Sequence, residues 1–573
     1  MKMRKPLTSQ FLEQHSVTLE ALEARLLLSA AAPQAPLGDT PMPDLSCGIG
    51  NITLPEGIVV WGDKGKATVT VTNVGDAPAV GKIDLLLSLS PDEGQWPTPA
   101  VLSAITDKSI NLGAGQSKKF VFNYTLWMPP DLNNGDYPDH LPGNYSLRAD
   151  INPVNIVEKD AGSDVNNTAI SADTEDVELM FGNVGARTNV KLTVWASPDD
   201  DTLAIFSLKG PGTGKLIDAG GGAEMDIVGT TADSVVKITT KKSTPEDLGR
   251  MVGDVPVTVL VKTTDADSVG VGTLGSFIAP KTDLTGGVDV TAGLIGNLQL
   301  GDVAGGSIVY SSATPGDSAQ MEFRSVSETD VNSPNVLISS ITATEWLGGG
   351  TITAPALQSL KTTGAKANTK LELDAIPGDF EADLVLSGIN FPVSKAALGK
   401  VSIASSLYGS SWDVTGSIGT VKIKGWVEDC QISSDADIAS FAAGGISGST
   451  LFAGVGTTRD DNGDGVFDLP IGLADFDAAS TIKKFTIKGI KDEGAYVASF
   501  INSNIAARYL GNIKLCFAQL DNGGEPFGFA ADFIKKISYK DADLSGSLSN
   551  LDVPGDIPAE IIPQLLDLEV RLF

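Results

Sequence analysis

Histidine is almost absent from this chain of 573 residues, which contains only His15 and His140. His15 lies in an unusual N-terminal segment, so a Ser-His-Asp triad or a histidine-rich metal site is disfavoured. The cysteines are Cys47, Cys430 and Cys516, which are far apart and form no CxxC pair. The sequence predicts neither a zinc site nor a disulfide framework. At most one bridge, between Cys430 and Cys516, could form, and buried free thiols are the simpler expectation.

Aromatic residues and positive charge are also scarce. Aromatics make up 6% of the chain, whereas glycine contributes 63 residues, a balance that favours short strands and turns over helical cores. The formal net charge is −30. Such a surface repels nucleic acid and anionic membranes and can attract calcium, although solubility alone also explains it. The apolar stretch 22–32 is far shorter than the ~20 residues of a membrane span, so no transmembrane helix is predicted.

The N-terminal segment, residues 1–32, has a basic start followed by an apolar stretch rich in small residues. Residues 22–28 resemble the LEPR-XLL motif found near the start of many large bacterial surface proteins, with Ala24 in place of the usual proline. The matching residues are Leu22, Glu23, Arg25, Leu27 and Leu28. The resemblance implies export to the cell envelope or beyond; an amphipathic helix over 12–28 is the alternative. Residues 33–43 contain four prolines and are predicted to be a linker.

Residues 44–175 show apolar and polar residues in alternation, separated by turn signals. In 67–72, Ala67, Val69 and Val71 fall on one side of a strand and threonines on the other. Similar alternation occurs in 83–88, 119–124 and 145–149. Short alternating strands at this spacing predict an antiparallel β-sandwich.

This region also resembles the bacterial CARDB domain, an immunoglobulin-like module related to cell adhesion. The resemblance is carried by the segments 69–79, 112–117, 142–147, 157–158 and 166–169, in the expected order. It implies a spacer or binding module of an exported protein and no catalytic residues. Oxygen-bearing side chains near the end of the domain could hold calcium, or form a solvated acidic loop. They are Asp150, Glu158, Asp160, Asp164 and Asn166.

A six-residue motif recurs in the second half of the chain. It reads apolar, spacer, polar, apolar, any residue, and apolar or small. Its ten copies are 274–279, 295–300, 338–343, 357–362, 398–403, 418–423, 438–443, 482–487, 510–515 and 534–539. Most copies are separated by one or two units of about 20 residues, which is the signature of a solenoid.

Side-chain alternation predicts which positions of the motif face inward. Positions four and six lie on the same side of a strand, and a bend at position two, often glycine, lets position one face inward as well. We therefore predict a β-solenoid, right-handed and parallel by analogy, over 271–545. Strands in 176–270 are interpreted as its cap, with a small separate β-domain as the alternative. Cys430 is expected to point along the stack, and residues 546–573 to form a C-terminal tail.

Asp460, Asn462, Asp464, Val466 and Asp468 have the spacing of a calcium loop. Alternating carboxylates, a main-chain carbonyl at Val466 and the turn at Gly465 would let oxygen atoms converge on one hard cation. Ile471 occupies the twelfth position, where an EF-hand has an acidic residue, and no helix pattern flanks the loop. The alternatives are a calcium-binding loop inserted in the solenoid and an acidic Asx-turn loop without metal.

The sequence favours an all-β, exported, non-catalytic surface or adhesion-type protein. Its expected partners are cell-wall or matrix glycans or other surface proteins, with calcium as the possible cofactor. One alternative is a secreted β-helix enzyme that degrades polysaccharides, which would need paired carboxylates. Its candidate acids are Asp374, Asp379, Glu381, Asp383, Asp413, Glu428 and Asp429. A second alternative is a purely structural spacer.

Overall fold

The structure is a computed structural model with side chains. It describes residues 41–573 except 56–57, 61, 92–99, 127–142, 160–165, 172–174, 198–201, 219–222, 243–252, 255–256, 263–272, 284–286, 291–292, 312–315, 368–373, 462, 464, 541–544 and 560. The first 40 residues, including the export-like segment and His15, therefore lie outside the described part, as does His140.

The first part of the chain is a β-sandwich of two sheets. Its strands are β1 (Leu45–Thr53), β2 (Val59–Val60), β3 (Lys64–Asn73), β4 (Ala79–Pro91), β5 (Ala100–Leu112), β6 (Ser117–Thr125), β7 (Gly143–Pro153), β8 (Thr168–Ile170) and β9 (Glu175–Glu178). One sheet has the order β1-β3-β6 and the other β2-β9-β7-β4-β5, with β8 paired to β7. The predicted inward residues Ala67, Val69 and Val71 are fully buried between the sheets, because alternate side chains of a strand point to opposite faces.

The rest of the chain winds into a solenoid with three sheets, named here in the order in which a rung visits them. Sheet 1 contains β11 (Arg187–Ser197), β12 (Thr202–Lys209), β15 (Val235–Lys242), β18 (Thr273–Ala279), β21 (Leu294–Leu300), β24 (Ser318–Glu322), β27 (Leu337–Ala343), β30 (Leu357–Thr362), β32 (Leu398–Ile403), β35 (Ile418–Ile423), β38 (Ile438–Ala443), β41 (Thr481–Ile487), β46 (Tyr509–Cys516), β48 (Phe533–Lys540) and β49 (Ser545–Leu551).

Sheet 2 has very short strands: β22 (Val303–Ala304), β25 (Ser325–Ser327), β28 (Glu345–Leu347), β33 (Leu407–Tyr408), β36 (Trp426–Glu428), β39 (Gly445–Ser447) and β44 (Phe500–Ile501). Sheet 3 contains β10 (Met180–Val184), β13 (Thr213–Asp218), β14 (Ala223–Val228), β17 (Val257–Lys262), β20 (Val288–Val290), β23 (Ser307–Tyr310), β26 (Asp330–Asn332), β29 (Thr351–Ala354), β31 (Asp383–Leu386), β34 (Ser411–Val414), β37 (Gln431–Ser434), β40 (Thr450–Ala453), β45 (Asn504–Ala507), β47 (Phe527–Ala531) and β50 (Leu568–Leu572).

Smaller elements complete the chain. Two strand pairs, β16 (Gly253–Asp254) with β19 (Thr282–Asp283) and β42 (Ile490–Asp492) with β43 (Ala495–Val497), lie outside the three sheets. Two 3-10 turns, Leu473–Asp475 and Pro554–Asp556, and one short helix, Ile562–Leu565, are the named helical elements. Among the described residues, no helix is long and apolar enough to span a membrane. The predicted all-β fold, a sandwich followed by a β-solenoid, is confirmed.

All ten copies of the six-residue motif lie in sheet 1. Except for 295–300 and 338–343, which β24 separates, successive copies pair in parallel with the same register, as in Leu398 opposite Ile418 and Val401 opposite Val421. Positions one and four are buried in every copy. Positions two and three are partly or fully exposed in every copy, so the strand departs from strict alternation between positions one and four; the sequence predicted this departure at position two.

Glycine at position two also allows close approach between rungs. Neither Gly399 nor Gly419 has a positive φ angle, so the backbone conformation does not require glycine at these positions. A Cβ on Gly419 would overlap the carbonyl oxygen of Gly399 in the preceding rung, and one on Gly399 would overlap that of Gln358. The close approach of main-chain atoms is therefore a reason for glycine at these positions.

The longer intervals between motif copies have two different origins. The interval from 295 to 338 contains an extra rung, whose sheet 1 strand β24 pairs with both β21 and β27. In contrast, β30 pairs directly with β32, and β38 with β41. The intervals 357–398 and 438–482 are thus single rungs with inserted segments.

A column of buried hydroxyl and thiol groups lines the corner between sheets 2 and 3. Each group donates a hydrogen bond to the carbonyl oxygen two residues earlier, and each follows a residue with positive φ. The members are Thr329, Ser410, Cys430, Ser449 and Ser503. The column satisfies main-chain groups that the turn removes from the sheets, and it explains the burial of Cys430.

Both ends of the solenoid are closed by strands that depart from the parallel stack. At the N-terminal end, β11, β12 and β15 pair antiparallel, and β15 then begins the parallel stack with β18. At the C-terminal end, β49 pairs antiparallel with β48, and β50 pairs in parallel with β47. Residues 546–573, expected as a tail, thus contribute strands to the final rung. Antiparallel strands and the terminal segment cover edges that would otherwise be open.

Candidate functional surface

The outer surface of sheet 2 is formed by two columns of residues that flank a buried column. The buried column is Val303, Val326, Trp346, Phe380, Leu407, Val427, Ile446 and Phe500. The residues before and after each member face away from the core, but Ser406, Gly445 and Ser499 are buried under neighbouring groups. The preceding column is Asp302, Ser325, Glu345, Asp379, Ser406, Trp426, Gly445 and Ser499. The following column is Ala304, Ser327, Leu347, Glu381, Tyr408, Glu428, Ser447 and Ile501. We call these two columns the sheet 2 surface.

Three of the candidate acids from the sequence, Asp379, Glu381 and Glu428, belong to the sheet 2 surface. The structure adds Asp302 and Glu345, which the sequence did not single out. The two-residue and three-residue strands of this sheet carry too little periodicity to be recognised. Their alignment therefore depends on rung-to-rung pairing, which the sequence does not display.

Most of these carboxylates accept hydrogen bonds from main-chain N–H groups. Asp379 accepts one from Ser406 at 2.7 Å, and Glu381 accepts one from Gly348 at 2.6 Å. Asp302 accepts the N–H of Ser325 at 3.1 Å and forms an ion pair with the Arg324 guanidinium. Such bonds satisfy N–H groups at the ends of short strands, so these acids have a structural role between rungs.

Glu345 differs from its neighbours. Partial burial raises its pKa, the carboxylates of Asp379, Asp302 and Glu381 raise the pKa further, and a hydrogen bond from Ser325 opposes the shift. The Ser325 hydroxyl lies 3.5 Å from the Glu345 carboxylate, at the limit of hydrogen-bonding distance. A carboxyl group with a raised pKa is one that can act as a proton donor.

The other candidate acids are dispersed over the solenoid. Asp383 and Asp413 lie on sheet 3, where the Asp383 carboxylate accepts the N–H of Ser411 at 2.6 Å. Asp374 is exposed in the inserted segment 363–382. Asp429 occupies the corner after sheet 2 with a φ of 52°. Partial burial and the nearby Asp429 carboxylate raise the pKa of Glu428.

The candidate calcium loop lies in the inserted segment between β40 and β41. The Asp460 carboxylate accepts N–H groups of Gly463 and Gly465 at 2.7 and 3.1 Å, and the loop therefore curls around this side chain. Asp468 accepts the N–H of Asp461 at 2.8 Å, and Val466 is buried. Two predicted ligands, Asn462 and Asp464, lie outside the described residues.

Hydrogen bonds fasten this inserted segment across the outside of sheet 3. Gln431 donates to the carbonyl oxygen of Gly465 at 3.0 Å, and Asn504 donates to that of Phe467 at 2.9 Å. Arg571, in the last strand, donates to the carbonyl oxygens of Leu469 and Pro470, each at 2.9 Å. An apolar cluster fills the space beneath: Phe452, Leu469, Phe476, Ala506 and Ala530. The segment therefore bridges several rungs.

The acidic residues at the end of the sandwich bond to other protein groups where they are described. Arg148 donates two hydrogen bonds to Asp150 Oδ1 and Oδ2 through Nε, each at 3.0 Å. Glu158 accepts the N–H of Leu45 at 2.7 Å and the side-chain amide of Asn167 at 2.8 Å. Asp160 and Asp164 lie outside the described residues. Within the described ranges, no group of three or more His, Cys, Asp or Glu side chains is arranged to hold a metal ion.

The three cysteines are free thiols. Burial raises the pKa of Cys430 to about 12, with smaller contributions from its surroundings. Burial also raises the pKa of Cys47 to about 12. These thiols are held in the protonated state at neutral pH, which is the opposite of what a nucleophilic or metal-binding cysteine requires.

Comparison with solved structures finds a likeness between part of this chain and CARDB domains. The crystal structure of the CARDB domain of a Pyrococcus furiosus protein, in complex with di-metal ions, covers 24% of this chain and 96% of its own chain at 19% identity, with a TM-score of 0.16. A solution NMR structure of the same domain covers 24% of this chain and 97% of its own chain at 19% identity, with a TM-score of 0.16. A sporulation control protein from Bacillus subtilis covers 34% of this chain and 91% of its own at 15% identity, with a TM-score of 0.17.

At these values the likeness concerns a limited part of the chain, and it assigns no ligand or activity. No family model matches the sequence. No curated protein matches it either.

Proposed function

We propose that this chain is an exported, non-catalytic surface protein of the adhesion type. The CARDB-like sandwich and the solenoid serve binding or structural display, with cell-wall or matrix glycans or other surface proteins as partners. The observation that carries the proposal is that several outward carboxylates of the solenoid are hydrogen-bonded to the main chain. Asp302, Asp379, Glu381 and Asp383 accept hydrogen bonds from main-chain N–H groups, which supports a structural role for these side chains.

Export is supported by the sequence. The segment 22–28 resembles the LEPR-XLL motif of bacterial surface proteins, and the net charge of −30 suits a soluble protein in a cation-rich setting. In the cells that produce the chain, protease treatment of intact cells should digest it while cytoplasmic proteins survive. Protection equal to that of a cytoplasmic protein would overturn the surface location.

Calcium binding by the loop 460–468 is part of the proposal. The spacing of its acidic residues supports the proposal, as does the turn in which the Asp460 carboxylate accepts the N–H groups of Gly463 and Gly465. Because the segment is fastened across sheet 3, bound calcium should stabilise the C-terminal rungs. Calcium should raise the melting temperature of the full chain, and Asp460→Asn should abolish the increase. A melting temperature that is the same with calcium and with chelator would remove the site.

Binding is tested with the full chain on arrays of linear glycans and on isolated cell-wall material, with and without calcium, while product release is monitored. The proposal expects retention without cleavage. If the chain binds neither glycans nor surface proteins, the spacer alternative replaces it.

A second candidate function, cleavage of a polysaccharide, is favoured by one observation. The raised pKa of Glu345, in the company of Asp379 and Glu381, is typical of a carboxyl group that donates a proton during glycoside hydrolysis. New reducing or unsaturated chain ends, lost in Glu345→Gln, would establish this function and overturn the non-catalytic one.

A further inference from the structure

Two aromatic side chains on or beside the sheet 2 surface lie over glycine residues. Trp426 begins β36, and its neighbour in the next rung is Gly445. A Cβ at position 445 would overlap the six-membered ring of the Trp426 indole. The ring therefore lies against the glycine backbone, and Trp426 remains partly exposed to solvent.

The second aromatic group lies further along the same surface. Tyr496, in the hairpin of β42 and β43, is stacked on Phe517 with ring centroids 4.8 Å apart and an interplanar angle of 17°. The Tyr496 ring also lies over Gly489, where a Cβ would come within 2.9 Å of it. Tyr496 is 40% exposed, and the Lys491 ammonium is 4.8 Å from its ring centroid.

The rung pairing places the two groups along the solenoid axis. The column that contains Trp426 continues through Gly445 and Ser499 to Phe517, because Ile446 pairs with Phe500 and Phe500 with Ala518. Three rung spacings of 4.7–4.9 Å separate Trp426 from Phe517, or about 14 Å. Ser499 fixes the hairpin beside this column, since its hydroxyl accepts the N–H of Ile490 at 3.0 Å and donates to the carbonyl oxygen of Val497 at 2.7 Å.

The charges around the aromatic groups restrict the chemistry of a ligand. Glu428 and Asp429 follow Trp426 directly, and Glu381 lies on the preceding rungs of the same surface. Lys491 is the basic side chain beside Tyr496. The carboxylates of Glu381, Glu428 and Asp429 would repel a polyanion at the Trp426 end of this path.

We propose that the sheet 2 surface between Trp426 and Tyr496 binds a linear glycan that carries no carboxylate or sulfate. The apolar faces of sugar rings stack on the two aromatic groups, and hydroxyl or amine groups bond to Glu428 and Ser447 between them. An extended chain of a few sugar rings spans the distance. This inference rests on the proposed glycan-binding function and adds the surface and the ligand class.

The test measures binding of the full chain to oligomers of N-acetylglucosamine, glucosamine and β-linked glucose, and to polygalacturonate. We expect at least one of the first three to bind, and polygalacturonate not to bind. Trp426→Ala and Tyr496→Ala should each weaken binding by roughly tenfold, as truncation of aromatic anchors does at other binding sites. Trp426→Phe should retain most of the affinity. Urea unfolding of each variant checks that the fold is intact.

Gly445→Ala is the sharpest variant, because it displaces the indole while leaving Trp426 in the sequence. It should weaken binding about as much as Trp426→Ala. The matched control is Tyr509→Ala, an exposed aromatic residue on sheet 1 that is 37% exposed, which should bind like the unaltered protein.

The outcomes separate this inference from the function on which it rests. If a glycan binds with equal affinity to Trp426→Ala, Tyr496→Ala and the unaltered chain, this surface is wrong while glycan binding stands. Preferential binding of polygalacturonate overturns the ligand class. If none of the oligomers binds, the inference fails, and the broader function then depends on cell-wall material or protein partners.

Discussion

Replacing Ser449 by alanine should destabilise the middle of the solenoid, because this buried hydroxyl satisfies two main-chain groups. Its Oγ accepts the N–H of Cys430 at 3.0 Å and donates to the carbonyl oxygen of Ser447 at 2.7 Å. Leaving a buried polar group without a partner costs roughly 1–3 kcal/mol. The N–H of Ser449 itself keeps its bond to Ser503. We therefore expect a local loss of about 2 kcal/mol.

Hydrogen–deuterium exchange measured by mass spectrometry is the appropriate assay. A global measurement of unfolding averages over the sandwich and all rungs of the solenoid, so exchange resolved by peptide reports a local effect more directly. Since 1.4 kcal/mol corresponds to a factor of ten, a loss of about 2 kcal/mol should accelerate exchange roughly 30-fold in peptides covering 427–451. Ser449→Cys should retain part of the protection, because a thiol occupies the same column at Cys430.

Ser411→Ala is the matched control. Ser411 is an exposed serine on sheet 3, and its removal should change stability by less than about 0.5 kcal/mol. If Ser449→Ala and Ser411→Ala exchange at the same rate in 427–451, the column of hydroxyl groups does not stabilise the corner, and the reasoning is refuted.

Three further predictions follow from the same structure. The folded Cys430 thiol has its pKa raised to about 12, so above pH ~8.5 the unfolded thiol ionises first and stability falls by up to about 1.4 kcal/mol per pH unit. The urea midpoint of Cys430→Ser should fall less steeply with pH than that of the unaltered chain, which keeps both Cys430 and Cys47, and parallel pH profiles would contradict this. Glu345→Gln should raise the urea midpoint at pH 7, because burial disfavours the charged carboxylate. This increase in the urea midpoint should vanish below pH ~4, where the carboxyl group is protonated in the unfolded chain as well. An increase that persists at low pH would contradict the explanation. Gly419→Ala should lower the free energy of unfolding by roughly 1–3 kcal/mol, because the new Cβ would overlap the Gly399 carbonyl oxygen. Gly472→Ala is the control, since there is open space around Gly472, and its melting temperature should not change. If the two variants have equal melting temperatures, close approach between rungs does not explain the glycine at position 419.

The sequence was most informative where a pattern extends over six residues or more. The motif in 418–423 identified the inward positions Ile418, Val421 and Ile423, and all three are buried in sheet 1. The alternation in 67–72 likewise identified the sandwich core. In both cases the side-chain period of a strand is written directly in the order of residues.

The second strands of the repeat were located less accurately. The sequence also predicts second strands at 411–414, 429–432 and 449–452. The first coincides with a strand of sheet 3, Ser411–Val414, whereas the other two lie one or two residues before Gln431–Ser434 and Thr450–Ala453. Between them the sequence did not reveal sheet 2, because Trp426–Glu428 and Gly445–Ser447 have three residues each. A segment of that length is too short to show periodicity.

The sequence by itself determined the all-β class, the approximate extent of the repeat and the inward residues of sheet 1. Only the tertiary structure decided which interval held an extra rung and how the terminal strands close the stack. It also showed that the Asp379 and Glu381 carboxylates accept main-chain N–H groups of neighbouring rungs. It also brought Trp426 and Tyr496 onto one surface. The physical reason is that inward burial is a property of one strand and its local alternation, whereas rung register is set by hydrogen bonds between residues about 20 or more positions apart. The path proposed for a glycan follows that register, so it appears only when the rungs are stacked.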